Sequence, residues 1–447
     1  MVLLVVPWPL GSVGSGPSWF LVFAAWTLLV LRAFGLLLRA DGRVPLPRPV
    51  AVAAGLGVAV LLWATVQTLP GPGSEWAHPI WRDLPEEPTP AHTPSLDPDA
   101  TRAALARLFA YVALGVLAYL AARRRARAER LATIAIAATA LQAAFGLLRT
   151  ALGLETIFGV DLGLERTNGS FVNPNHFAAY VNLGLVTVAV LLLEDFRRHA
   201  DAPRFSAALA RGVRLLFEKR FLLAAVFALL AMASFASGSR GGFAALVLTL
   251  AIALPIQLGA GRALFAVALV LVAFAAVLIA TAGTPTLERL DSLLPASEFH
   301  PEAGGRLAIF ALALSAWRER PWLGHGYGTW PAVFHLFRDE RFPIVVFDYA
   351  HNTWLELLVE LGAPAAVALL VAFVLLSACS LRGYERGREP LPMVGFAVGS
   401  YLALHGLVDF PAQIPAIAAT FAVLFGLGVG RAAAILARSG RDRASPE

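Results

Sequence analysis

Residues 221–258 read FLLAAVFALLAMASFASGSRGGFAALVLTLAIALPIQL, and Arg240 is the one ionisable side chain in the stretch. The apolar runs 221–236 and 242–258 flank Ser237-Gly238-Ser239-Arg240-Gly241-Gly242. Each approaches the roughly 20 residues that cross a hydrocarbon core, so the stretch predicts a membrane-embedded helical hairpin with an arginine at its turn. Glycines on both sides of Arg240 permit positive φ and close backbone approach. The next helix starts just after it, so backbone N–H groups and the guanidinium together can hold an anion.

The pattern repeats along the chain. Of 447 residues, 58% are hydrophobic and 15% charged, against about 25% charged in ordinary soluble domains. The mean hydropathy is +0.69. Long apolar blocks alternate with short Arg-rich or Pro-rich stretches, which excludes a soluble globule, a disordered chain and a tethered soluble enzyme. Spans are predicted at about 18–38, 50–69, 103–122, 131–150, 176–194, 221–236, 242–258, 263–282, 353–379, 391–410 and 414–436. The fold class is an all-α polytopic membrane protein of about 11–12 transmembrane helices, a single domain over 1–447. Cys379 is the one cysteine, which rules out intrachain disulfides and CxxC or Cys-rich metal sites.

The net charge of +6 and pI near 10.0 acquire meaning from their location. The larger part of the 36 Lys+Arg falls in 39–49, 121–130, 195–220, 259–262, 380–390 and the tail. By the positive-inside rule these segments are cytoplasmic, and the basic balance reports topology rather than a nucleic-acid partner. Residues 1–17 are too short to span unaided and lack a signal peptide's basic region and cleavage site; they read as the stub of a twelfth span.

The opposite loops are the long ones. Loop 70–102 is Pro-rich with scattered acids and reads as an irregular cap. Loop 283–350 contains Gly304–Arg320, whose Leu307, Phe310, Leu314 and Trp317 have helical spacing, with Pro321 as the stop. Ionisable groups within spans are costly and therefore functional candidates. Arg149, His176, Arg240, His351, Glu356, Glu360, His405 and Asp409 all lie in the outer halves or ends of their spans, which points to a polar chamber opening outward.

Two further stretches are dense in polar groups. Arg166 to His176 reads RTNGSFVNPNH. Asn173 or Asn175 can cap the next helix and Pro174 suits its first turn, but capping does not account for Arg166, a cation suited to a lipid phosphate or diphosphate. Asp348 to Glu356 reads DYAHNTWLE. Helical spacing puts Asn352, Glu356 and Glu360 on one stripe with His351 at the rim, where a histidine can take a proton from an attacking hydroxyl while Asp348 or Glu356 orients it. His405 and Asp409 form an i,i+4 pair that reads as a structural hydrogen bond.

On these pieces the chain resembles the O-antigen ligase and O-antigen polymerase superfamily of bacterial inner-membrane glycosyltransferases. The matching segments are Arg166 to His176, Ser237 to Gly242, Gly305-Arg306, Trp317 with Pro321 to Gly328, His351 to Gly362, and His405 to Phe410. The resemblance implies many transmembrane helices with a large periplasmic loop containing short helices over a cavity. It also implies metal-independent, cofactor-free transfer of a glycan from an undecaprenyl-diphosphate donor. Carried over residue by residue, it implies diphosphate binding at Arg166 and Arg240, a less defined role for Arg306 at the loop helix, and activation of the acceptor hydroxyl by His351. The polar stretches themselves offer Asn175, Asn352, Glu356, His405 and Asp409 as supporting residues. Acceptors in that family include lipid A-core, a growing polysaccharide or a protein. Two features depart from its pattern: His325 within Gly324-His325-Gly326-Tyr327-Gly328, and the long Pro-rich loop.

The residues agree with that chemistry on their own terms. The outer loops hold no DxD-type pair and no HExxH. A polyprenyl diphosphate needs an apolar groove, cations for phosphate and a base for the hydroxyl, and those are the groups present. A flippase of lipid-linked sugar would share the groove and the arginines but would not need a base. A protein O-oligosaccharyltransferase would differ in acceptor alone.

Overall fold

The computed structural model describes residues 1–37, 46–71, 75–82, 92–157, 159–163, 166–198, 219–259, 303–340, 342 and 346–444. The predicted span 263–282, the first part of loop 283–350, most of the 195–220 segment and much of the Pro-rich loop lie outside the described residues.

The described chain is helical apart from a two-residue antiparallel pair, β1 (Thr156–Ile157) with β2 (Val160–Asp161). In order the helices are α1 (Val2–Val5), α2 (Ser15–Leu37), α3 (Arg48–Val66), α4 (Pro98–Ala121), α5 (Arg125–Ala151), α6 (Pro174–Arg198), α7 (Lys219–Ala236), α8 (Arg240–Leu258), α9 (Ala303–Glu319), α10 (Trp330–Phe337), α11 (Thr353–Leu361), α12 (Ala363–Gly387), α13 (Pro390–His405) and α14 (Pro415–Ala444). Eight of them (α2 to α6, α8, α12 and α14) are long and apolar enough to cross a membrane; α7 and α13 are shorter apolar helices. The chain is an all-α polytopic membrane protein.

Local chemistry sets the helix ends. Asp97 caps α4, its Oδ1 accepting from the N–H groups of Asp99 and Ala100 at 3.1 and 2.9 Å, with Pro98 in the first turn. Ser239 caps α8. α6 and α14 are buried along most of their length, whereas α2, α3 and α12 keep broad exposed apolar faces. Small residues allow the inner helices to cross closely: the Gly426 backbone lies against that of Gly115 on α4, and Gly428 against Gly395 on α13. Without a hydrophobic force between helices in lipid, such close approach is a main source of packing energy.

The predicted ninth span, 353–379, is two helices. Gly362 at φ +78° ends α11, and Pro364 stands in the first turn of α12. The break is locked by the loop before α10, since His325 N donates to Val359 O and Gly326 N to Glu360 O at 3.0 Å, and Ala363 N to Pro321 O at 2.8 Å. α9, α10 and α11 therefore form a separate layer over one end of the bundle, with their own core around Ile309, Trp330, Phe334 and Val359. Residues 1–13 form a short helix and tight turns rather than a span. Pro7 O accepts from Ser170 Oγ at 2.7 Å, and Gly11 rests on the Phe171 ring.

Candidate active site

Alternating helix directions bring the ends of α5, α7 and α13 and the starts of α6, α8 and α14 to the face covered by the α9–α11 layer. There Arg166 joins two of the sequence stretches. Its Nε donates to Ser237 O at 2.7 Å and its NH2 to Asn175 Oδ1 at 3.0 Å. Gly238, at φ +61°, presses its backbone on the guanidinium, and a side chain there would come within 3.2 Å of Arg166 Nε. The turn that positions Arg240 at the start of α8 is thus built against Arg166. Arg240 is exposed.

The glycines after Arg240 let α13 approach. A side chain at Gly241 would meet Val408 at 3.1 Å, and one at Gly242 would meet His405 Cε1 at 3.4 Å. His405 is buried, with Nδ1 3.2 Å from the Tyr401 hydroxyl, which accepts from Asn182 Nδ2 at 3.0 Å; that amide also lies 3.2 Å from Gly242 O. The charge of Arg306, at the start of α9, reaches His405.

Asp409 lies between two histidines. Its Oδ1 is 3.8 Å from His351 Nδ1 and its Oδ2 3.9 Å from His405 Nε2. Both separations are longer than direct hydrogen bonds. Phe410 forms the wall: Tyr349 stacks on it at 4.2 Å, and His351 and His176 stand edge-on at 4.9 and 4.7 Å.

His351 adopts φ +53°, a backbone region costly for a residue with a side chain. Its neighbours fix it there. Ala350 N donates to Glu356 Oε2 at 2.7 Å, Asn352 Oδ1 caps α11 by accepting from the N–H groups of Trp354 and Leu355, and Asn352 Nδ2 donates to Leu407 O at 2.9 Å. Gln413 closes the ring, its Nε2 donating to Glu356 Oε1 and its Oε1 accepting from Thr353 Oγ1, both at 3.0 Å. Glu356 is fully enclosed, and burial pushes its carboxyl well up from the ordinary value.

The remaining sequence candidates lie elsewhere. Glu360 turns away from His351 and accepts from Trp330 N at 2.9 Å, with burial raising its carboxyl to about 7. Arg149 is buried and holds the β1–β2 hairpin, donating to Asn168 Oδ1 and to the carbonyls of Glu155 and Gly163. The carboxylate beside the His351 imidazole is Asp409, from the turn that follows α13. Gln413, Tyr401 and Asn182 escaped the sequence reading. A polar residue within an apolar span was the available signal for Asn182; nothing local singled out Gln413.

Residues 225–370 match the O-antigen ligase family. The matched segment, about a third of the chain, runs from α7 into α12 and takes in Arg240, Arg306 and His351. No curated protein matches the chain. The match supports the resemblance to the O-antigen ligase and polymerase superfamily, and with it ligase- or polymerase-type glycosyl transfer as the class of activity. The arginine that braces the turn and the carboxylate that faces the histidine, Arg166 and Asp409, stand outside the O-antigen ligase segment and reach it by folding.

Proposed function

We propose that this protein transfers a glycan from an undecaprenyl-diphosphate donor to an acceptor hydroxyl at the periplasmic face of a bacterial inner membrane. The observation that carries the reading is His351 held between Asp409 and Phe410 beside the Arg166–Arg240 turn. The basic loops at the opposite end support that orientation under the positive-inside rule.

Asp409 faces Nδ1 of His351 at 3.8 Å, so its negative charge favours the N–H form at that nitrogen and leaves Nε2 to accept a proton. The acceptor hydroxyl attacks the anomeric carbon and passes its proton to Nε2. The bond from that carbon to the diphosphate oxygen breaks, and the diphosphate departs with the electron pair. Negative charge grows on the leaving group as the bond lengthens, so Arg166 and Arg240 stabilise the transition state more than the bound donor. The donor carries its own leaving group, so the reaction as proposed needs no metal ion. The acceptor is lipid A-core, a growing polysaccharide or a protein hydroxyl.

Flipping a lipid-linked glycan would use the arginines but gives no role to a histidine paired with a buried carboxylate. Purified protein in detergent, supplied with polyprenyl-linked donor and acceptor, separates the two because no sealed compartment exists. Product formed by wild type and lost in His351→Ala supports transfer. Equal product from His351→Ala removes the base, and no product from wild type with the correct acceptor favours the flippase.

A further inference from the structure

Arg107 lies on α4 nine residues past Pro98, about 13 Å along the helix axis. That places it within the first turns of the predicted span 103–122, level with the start of α2, where a cation is a functional candidate by default. It is half-buried, and among the described residues it forms no hydrogen bond and no ion pair. Of the groups on its inner side, Tyr111 keeps a buried hydroxyl without a hydrogen-bond partner among the described residues. Its charge reaches Tyr327, Tyr349 and Glu360, but Glu360 is committed to the backbone of Trp330.

A cleft of about 120 Å³ opens beside it between α2 and α4, lined by Ser15, Ser18, Trp19, Val22, Ala103 and Arg107. That leaves room for a phosphate and its ester oxygens. Ser15 opens α2, so the N–H groups of Ser15 and Gly16, which precede the first intrahelical bond from Ser18 N to Gly14 O, start at the same place. Ser18 Oγ donates to Ser12 O at 2.7 Å, which fixes the chain entering that helix. Beyond the cleft both helices present exposed apolar side chains: Phe20, Phe23 and Trp26 on α2, Val112 and Val116 on α4. A ligand arriving there comes from the bilayer with its tails along those faces.

We propose that the α2–α4 cleft binds the phosphate of an anionic glycerophospholipid from the surrounding bilayer, with Arg107 as its cation. The planar guanidinium can take two phosphate oxygens. The site is separate from the donor arginines, which stand on the elements around α6, α7 and α8, whereas α4 packs on α2, α3, α5 and α14. It does not depend on the transfer reaction.

Native mass spectrometry of the full-length protein, released from nanodiscs containing phosphatidylglycerol and phosphatidylcholine, tests it. Wild type should retain one phosphatidylglycerol, and Arg107→Gln should weaken that retention by about 10- to 150-fold, the loss of one charge-assisted contact. Ala103→Phe, which fills the cleft and leaves the arginine in place, should lose it as well. Thermal unfolding confirms that both variants are folded. Retention unchanged in either folded variant overturns the proposal. So does equal retention of phosphatidylcholine, and so does displacement by millimolar inorganic phosphate, which would make the cleft a free-phosphate site. Glycan transfer is not the readout, so a failed transfer assay leaves this test intact.

Discussion

His78 and His325 meet ring to ring, with Nε2 of the first 2.9 Å from Nδ1 of the second. One belongs to the Pro-rich loop and the other to the glycine-rich piece before α10, so the two departures from the family pattern are halves of one contact. The tautomers follow from the outer partners. His325 Nε2 lies 2.8 Å from Ala316 O and must donate to it, which leaves Nδ1 as acceptor for His78 Nε2–H; His78 Nδ1 in turn accepts from Ile80 N at 3.3 Å. Every ring nitrogen is used in the neutral form. Around the pair, Leu96 N donates to His325 O, and buried Arg320 donates to Ala77 O at 3.2 Å.

Acid should open this contact. Burial holds His78 down at about 3 and His325 at about 4, against 6.5 in an unfolded chain. Above pH 6.5 both are neutral in either state and cost nothing. Between 6.5 and about 4 the unfolded chain takes protons that the folded one refuses, so stability falls with acidification by on the order of a few kcal/mol. Hydrogen exchange over 75–82 and 92–97 should accelerate in that window. His325→Gln should flatten the dependence; an unchanged pH profile in that variant would mean other groups drive it.

Arg240→Ala should cut transfer by about 10- to 150-fold, the loss of one charge-assisted hydrogen bond, with lysine restoring part of it. Arg166→Ala should do the same and also loosen the Ser237 turn that it braces. Donor binding measured by tritiated or fluorescent polyprenyl diphosphate, together with initial rates, decides the matter. Wild-type values in either alanine variant would reduce that arginine to a structural or interfacial role.

Asp409→Asn should lower the turnover rate by about 10²- to 10⁴-fold with little change in donor affinity, since the amide no longer favours the required tautomer. The double variant His351→Ala/Asp409→Asn should be scarcely slower than His351→Ala, because the two act as one unit. Additive losses would place Asp409 in a separate role, such as holding His405.

Gly362→Ala should destabilise the folded protein by about 1–3 kcal/mol, since the residue sits at φ +78° and its backbone is pressed on Trp322 O. The effect should appear in thermal unfolding and in raised exchange of the α9–α11 layer. A neutral result would show that the α11–α12 break does not depend on the glycine.

Most of the architecture was legible because length and apolarity suffice to mark a membrane helix, and the predicted 221–236 and 242–258 runs correspond to α7 and α8 within two residues at each end. The exception, 353–379, was continuous in hydrophobicity, and Leu361-Gly362-Ala363-Pro364 carried the stop and restart signals inside it. Length outweighed them, although Glu356 and Glu360 within the same run were better suited to a protein interior than to lipid. Local stretches announced Arg166, Arg240 and His351. The partnership of His351 with Asp409, 58 residues along, is a product of tertiary contact, as is the clamp of Gln413 on Glu356.

The O-antigen ligase segment ends at residue 370, short of Asp409, and begins after Arg166. Exchange of that segment between related chains would therefore graft a histidine opposite a stranger's carboxylate and an arginine turn onto a stranger's brace. Recombination at those borders would select for partners whose flanking helices already match, so the sequences outside the recognisable segment should carry the lineage's specificity as strongly as those within it.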